Sequence, residues 1–264
     1  MNYYRREFHD VYYTTDLAKP MSVYTPFEIP DPRGNGQTMT VYNINQALAT
    51  INELDTTSTN NSAAFHSVDV TINARLANGA FLQGGTATGR MWSSICDGPD
   101  PNSYTSNFPL VGVLTGGLRY CDQRQFDIPW RTHFKLSGAY PLPYGLRVSA
   151  VFQSTAGDPQ VYSYIVTAAA FRNLTGVALG QSSVTVYPLN EPGSAYYDRV
   201  NQLDFTIAKV FKVGNWRVTP DVSLFNMLNA NPVYSQQTTY GPTLGYPLRI
   251  LEARLIRFGV QARF

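Results

Sequence analysis

A segment of an antiparallel transmembrane β-barrel, all-β, is predicted by three features of the sequence. These are hydrophobic alternation with period two, connections that switch between short and long, and a composition poor in charge and rich in aromatics. Only 14% of the 264 residues are charged, against about 25% in an ordinary soluble domain. Aromatics reach 13%, and 20 Gly with 17 Pro supply turns. Long-helix and coiled-coil architectures are disfavoured by that balance. The net charge of +2, with no basic run longer than Arg5-Arg6, excludes nucleic acid as a partner. No stretch approaches the ~18 apolar residues of a membrane-spanning helix; the nearest is Val166 to Phe171. Met1 to Arg6 lacks the apolar centre of a signal peptide, so an exported protein would have its leader further upstream.

Eight strands are expected, at about 2–14, 66–77, 80–93, 129–142, 145–156, 199–213, 215–228 and 253–264. In the second, Val68, Val70, Ile72, Ala74 and Leu76 oppose Asp69, Thr71, Asn73 and Arg75. The turn Ala77-Asn78-Gly79 then reverses the chain into the third. The fourth sets Phe134, Leu136, Gly138, Tyr140 and Leu142 against Arg131, His133, Lys135 and Ser137, and Pro143-Tyr144-Gly145 turns it back. The fifth alternates Leu146, Val148, Ala150 and Phe152 with Arg147, Ser149 and Gln153. In the sixth, Leu203, Phe205, Ile207, Phe211 and Val213 oppose Asp204, Thr206 and Lys212; Lys209 falls on the apolar side, where its stem can snorkel. Gly214-Asn215 leads to the seventh strand, and the eighth is the clearest, with Ile256, Phe258, Val260, Ala262 and Phe264 on one face and Arg257, Gly259, Gln261 and Arg263 on the other.

Between the tight turns lie long insertions at roughly 15–65, 94–128, 157–198 and 230–252. Loops this long are foreign to a compact soluble domain but regular in an outer-membrane barrel, which has short periplasmic turns and long extracellular loops. Within the first insertion, Asn43 to Leu54 carries apolar residues at helical spacing behind an Asn cap, so a short helix is expected there. Trp130 and Tyr140 are ten residues apart, about 33 Å along a strand and roughly 25 Å after a ~40° tilt, the height of an apolar band between aromatic girdles. An arginine at the bilayer midplane costs about 2–4 kcal/mol, so Arg75, Arg147 and Arg257 must face inward.

Several blocks carry a family resemblance: Tyr3-Tyr4-Arg5-Arg6, Ala74-Arg75-Leu76-Ala77-Asn78-Gly79, Leu82-Gln83-Gly84-Gly85, Thr88-Gly89-Arg90 and Phe134-Lys135-Leu136-Ser137-Gly138-Ala139-Tyr140-Pro141-Leu142-Pro143. Tyr197-Asp198-Arg199, Asn201-Gln202-Leu203-Asp204, Leu224-Phe225-Asn226-Met227-Leu228-Asn229 and Arg257 to Phe264 continue it. In their order and spacing the chain resembles, almost end to end, the C-terminal part of the β-barrel of TonB-dependent outer-membrane receptors of the Oar-like group. The resemblance implies a barrel of about twenty-two strands closed by an N-terminal plug, residing in the bacterial outer membrane. It implies energised uptake of a scarce solute, with extracellular loops capturing the ligand. The implied partners are outer-membrane lipid, the barrel assembly machinery, a TonB-type energy-transducing complex and a small-molecule, oligosaccharide or peptide ligand. Residues 1–264 would then be the C-terminal portion of such a barrel, without plug or earlier strands. The terminal strand, with Phe258, Val260 and Phe264, resembles the outer-membrane assembly signal. Cys96 and Cys121, an even pair in one loop of an exported protein, are expected to form a disulfide.

The lumen-facing candidates are Arg75, Arg131, Lys135, Arg147, Asp204, Arg217, Asp221, Arg257 and Arg263, joined by Asp69. They either guide a polar or anionic solute or pair with each other and with lumen water. Loop tyrosines, among them Tyr24, Tyr42, Tyr104, Tyr162, Tyr196, Tyr197, Tyr240 and Tyr246, either stack on a ligand or pack the loops. His9, His66 and His133 are isolated, so no metal site is expected. Asp97, Asp100 and Asn102 lack EF-hand spacing and read as a solvated turn, with calcium the alternative. No cofactor is expected and no catalytic residue is assigned, because no nucleophile–base arrangement is legible.

Two rivals compete with this reading. A self-contained eight-stranded outer-membrane barrel with a structural or adhesive role has a permitted strand number. A secreted β-sandwich would bury the Arg- and Asp-rich strand faces between its sheets, at high cost.

Overall fold

The computed structural model describes residues 1–44, 51–98, 100–102 and 117–264. Its strands, in chain order, are β1 (Asn2–Phe8), β2 (Tyr12–Asp16), β3 (Tyr24–Pro30), β4 (Thr38–Ile44), β5 (Glu53–Thr57), β6 (Ser62–Arg75), β7 (Phe81–Ser94), β8 (Arg131–Pro141), β9 (Leu146–Thr155), β10 (Tyr164–Thr167) and β11 (Ser183–Val186). They continue with β12 (Val200–Lys209), β13 (Phe211–Val213), β14 (Trp216–Phe225), β15 (Val233–Gln236), β16 (Pro247–Ile250) and β17 (Leu255–Arg263). Helix α1 (Ala168–Thr175) lies between β10 and β11. The protein is mostly antiparallel β, and no helix among the described residues is long and apolar enough to cross a membrane.

Among the described residues, one nine-stranded antiparallel sheet runs β1-β6-β7-β8-β9-β12-β14-β17, with β13 alongside β14 as a continuation of β12. Each strand neighbours the next long strand in sequence, so the sheet is a meander. Its connections alternate between short, as in β6–β7, β8–β9 and β12–β14, and long. The short turns each place a glycine in the left-handed region: Gly79 at φ 86°, Gly145 at 74° and Gly214 at 58°. A side chain there would strain the backbone. Val210 N donates to Gly145 O at 2.8 Å, so the β8–β9 turn sits beside the junction of β12 and β13. β1 and β17 are its edges; no ladder joins them among the described residues.

Cross-strand partners in an antiparallel ladder share a face, and tracing the register across the sheet sorts most of its side chains by polarity, with Lys209, Arg5, Glu7, His66 and Arg90 as exceptions on the apolar face. One face carries Val70, Ile72, Leu82, Leu136, Phe152, Leu203, Phe205, Val222, Phe258 and Val260. Much of it is open: Phe258 is 78% exposed and Val260 73%. Lys209 shares this face at the short-turn end and holds its ammonium 5.1 Å from the Phe211 ring centroid.

The buried core lies elsewhere. Ile29, Met39, Val41, Val166, Phe171, Val184, Val186 and Leu189 form one cluster, supplied by the hairpins β3–β4 and β10–β11, helix α1 and Leu189 from the long connections. Thr167 caps α1 by accepting from Ala170 N at 3.2 Å, and Gly176 ends it in the left-handed conformation. The long connections are thus folded into an assembly of their own.

Two predicted strands and one predicted helix differ from the sequence expectation. The chain breaks at Asp10 (φ 54°), so the first predicted strand divides into β1 and a β2 that pairs with β5 instead. The sixth divides at Val210 into β12 and β13. The helix expected over 43–54 is contradicted at both ends, where Asn43 and Ile44 lie in β4 and Glu53 and Leu54 in β5; residues 45–50 lie outside the described residues. Helical spacing there is overridden by ladder pairing, since β4 finishes the hairpin whose Met39 and Val41 enter the core. Helix α1, conversely, occupies a segment read only as an apolar run.

Candidate functional site

The register places all nine of Arg75, Arg131, Lys135, Arg147, Asp204, Arg217, Asp221, Arg257 and Arg263, with Asp69, on the face opposite the apolar one. Asn73, Gln83, Ser137, Gln153, Gln202, Thr206, Ser223 and Gln261 share that face. They fall into separate groups along it. At the short-turn end, Lys212, Arg217 and Arg263 are direct cross-strand neighbours on β13, β14 and β17. Nearer the middle, Arg257 approaches Asp221 at 3.8 Å and donates to Ser223 Oγ at 3.3 Å. Thr206 Oγ1 donates to the same Ser223 Oγ at 2.9 Å. Gly259 leaves the space this needs, because a Cβ there would stand 2.5 Å from Asp221 Oδ1. Asp204 is committed to structure: it accepts from Gln202 Nε2 at 3.0 Å and from Asn226 N at 2.8 Å.

At the long-loop end the polar face opens into a cleft of about 240 Å³, walled by Phe65, Ser67, Met91, Arg131 and His133 from the sheet and by Ile128, Pro129, Pro159 and Tyr196 from two loops. Arg131 organises it. One Nη2 donates to Gly157 O at 2.9 Å and to Asp158 Oδ1 at 2.8 Å, while the guanidinium carbon sits 5.9 Å from the Tyr196 ring centroid. Its Nε is buried without a hydrogen-bond partner. Burial pushes the Tyr196 phenol above its usual range, against the opposing pull of Arg131, so it stays a neutral donor at neutral pH. Gly157 permits the close approach of the two loop strands, since a Cβ there would lie 1.9 Å from Tyr197 O. A cation with an unused donor, an imidazole, a phenol and apolar walls suit a small solute with an anionic or strongly polar group and a hydrophobic part. Among the described residues no group of three metal-ligating side chains comes together.

The remaining candidates serve the architecture. Cys96 and Cys121 are joined by a disulfide, with Cα atoms 4.9 Å apart. Asp97 accepts from Ser58, Asp100 accepts from Asn102 N at 2.8 Å, and Asn102 holds Tyr42 by two bonds, so the three oxygen side chains point to different partners. Tyr162, Tyr164 and Tyr240 pack against the loop core. Tyr24 is partly buried and its phenol is raised to about 12, through burial first and then Asp100 and Asp16. Tyr104 lies outside the described residues.

Five buried asparagines, none of them read as a backbone clamp in the sequence, tie the loops together. Each uses both ends of its carboxamide on backbone groups. Asn61 accepts from Cys96 N and Asp97 N and donates to Asp97 O. Asn43 bridges Gly180 N and Ala178 O, Asn102 bridges Tyr42 N and Tyr42 O, and Asn190 bridges Tyr162 N and Gln160 O. Asn226 accepts from Ala230 N and donates to Ala230 O and Glu252 O. Only a carboxamide offers donor and acceptor in this geometry, but an isolated Asn in a loop gives no sign of which backbone it will meet. Compared with known proteins, the chain matches no family model and no curated protein.

Proposed function

We propose that the nine-stranded sheet is part of the wall of an outer-membrane β-barrel, and that the parent is a TonB-dependent receptor for energised uptake of a scarce solute. The observation that carries this is the two-faced meander, whose apolar face leaves Val70, Ile72, Leu82, Phe258 and Val260 exposed among the described residues while most of the sheet's charges share the other face. Water is a poor neighbour for such a face and lipid a good one. The segregation of short turns to one end and folded loops to the other agrees with periplasmic and extracellular sides. The cleft at Arg131 and Tyr196 would be the place where the loops hand a polar or anionic solute to the lumen. The self-contained eight-stranded alternative needs β1 to pair with β17, a ladder missing among the described residues.

Fluorophores attached singly along β17 in the membrane-inserted parent test the reading. Brominated lipid should quench labels at positions 258 and 260 and spare those at 257 and 261. Equal quenching of both sets would sink the membrane assignment. For uptake, Arg131→Ala should lower energy-dependent solute accumulation while leaving the amount of receptor in the outer membrane unchanged. Accumulation indifferent to collapse of the inner-membrane proton gradient would sink the transport part alone.

A further inference from the structure

Two arginines outside the Arg131 cleft show how this chain grips a carboxylate. Arg33 reaches Asp31 through Nε at 2.9 Å and Nη2 at 2.6 Å, and Arg124 reaches Asp122 through Nε at 2.8 Å and Nη2 at 2.7 Å. In each pair the two donors meet the two oxygens of one carboxylate, the fork that a guanidinium favours. Arg131 holds Asp158 by Nη2 alone, at 2.8 Å, and its Nε is buried without a partner. A buried donor left unpaired is costly, so the fork at Arg131 is half used. Asp158 is also the most loosely kept of the three carboxylates: its side chain is 82% exposed, against 0% for Asp31 and 30% for Asp122. The backbone around it is fixed instead. Tyr197 N donates to Asp158 O at 2.9 Å, Gln160 N donates to Ala195 O at 2.9 Å, and Pro159 is bridged to Tyr196. The Asp158 carboxylate can therefore turn into solvent while the loops that wall the cleft stay in place, and Gly157 O still holds the guanidinium at 2.9 Å.

We infer that the cleft binds the carboxylate of a small acid with an apolar body, which replaces Asp158 on Arg131 Nη2 and fills Nε as well. Phe65, Met91, Ile128, Pro129 and Pro159 take the apolar part, within a space of about 240 Å³. Exchange of one carboxylate for another leaves the charge of the site unchanged. A phosphate dianion would instead bring surplus negative charge into a partly desolvated cleft. Asp158 thus occupies the site when it is empty and competes with the solute when it fills. This inference rests on the solute-binding reading of the cleft given above and narrows it to one chemical class.

The test titrates 3-phenylpropanoate into the detergent-solubilised parent protein, with saturation-transfer NMR reading the bound fraction. The neutral isostere 3-phenylpropanamide should bind about tenfold more weakly, the loss of one charge-assisted contact. Asp158→Asn removes the competing carboxylate and leaves Arg131 in place. It should strengthen 3-phenylpropanoate binding about tenfold and leave the amide unchanged, whereas a purely structural Asp158 gives no gain. Arg131→Lys keeps the charge and loses the fork, so the preference for acid over amide should shrink. Equal binding of acid and amide overturns the proposal, as does the absence of a gain in Asp158→Asn. Competition by acetate or inorganic phosphate as strong as that by 3-phenylpropanoate also overturns it, since that marks a bare anion site. Gradient-driven accumulation without acid preference defeats this inference alone. Acid preference in a parent whose accumulation ignores the proton gradient sinks the transport reading and leaves the site standing.

Discussion

Phe171 and Phe258 are the same side chain in two different settings. In the loop assembly Phe171 is fully buried, packed edge-on against Phe27 at 5.2 Å between ring centroids. In the sheet Phe258 stands 78% exposed on a face where its neighbours are equally apolar. The loop assembly is built as a water-soluble domain is, with apolar groups turned inward and its buried asparagines hydrogen-bonded. The sheet follows another pattern: most of its polar groups share one face, and large apolar groups on the other stay exposed among the described residues. Under the membrane assignment proposed above, a single chain follows two solvent rules, divided where the long strands end.

Truncating the loop core should break the comparison most sharply. Phe171→Ala is expected to cost about 3–5 kcal/mol, as large-to-small core changes do. The loss should appear as faster hydrogen exchange in α1, β3, β10 and β11, with β8, β9 and β12 unchanged. Exchange accelerating throughout the sheet would show that the two regions are one cooperative unit.

Adding charge to the sheet tests the other rule. Phe152→Arg on the apolar face should destabilise the membrane-inserted form by about 2–4 kcal/mol if it lies near the midplane. Val151→Arg, one residue along and on the polar face beside Asp204, should be nearly neutral. Urea titrations from lipid vesicles compare them, and equal costs would remove the distinction between the faces.

A smaller effect belongs to the asparagine clamps. Asn61→Leu strands the amides of Cys96 and Asp97 in a buried site, at about 1–3 kcal/mol. Proteolysis of the folded protein should then begin near residues 58–61 and 95–98. Protection equal to that of the unmodified chain would mean the backbone finds other partners.

The smallest effect expected is a pH dependence. Asp31 has a buried carboxylate; burial alone would raise its pKa, but Arg33 at 2.6 Å and Arg119 at 3.5 Å outweigh it and hold the value below the usual carboxylate range. A depressed pKa stabilises the fold above the unfolded value near 3.9 and loses that contribution as pH falls through the folded value. Asp31→Asn should therefore weaken the loop assembly at neutral pH and flatten its melting-temperature profile below about pH 4. A profile as steep as that of the unmodified protein would assign the acid sensitivity to another group.

Apart from the first, which ends at Phe8 and not near residue 14, the strands of the large sheet were legible in the sequence within a few residues, as was the face on which each of the nine charged candidates falls. That information is local: successive side chains point to opposite faces, so alternation in the sequence states the face directly. The turns at Gly79, Gly145 and Gly214 were legible for the same reason, since backbone sterics of one residue select glycine there. Which charges would meet was not legible. Arg131 needed Asp158 and Tyr196, brought to it by a loop that returns after another strand. The small sheets of the long connections and the clamps were hidden for a stronger version of this reason. Asn43 meets Gly180 across 137 positions of sequence, and no local period records such a meeting. Alternation alone determined the two-faced sheet, because the pleat repeats every two residues; the loop core and the cleft were decided by tertiary structure, because their partners become neighbours only once the meander has set the loops side by side.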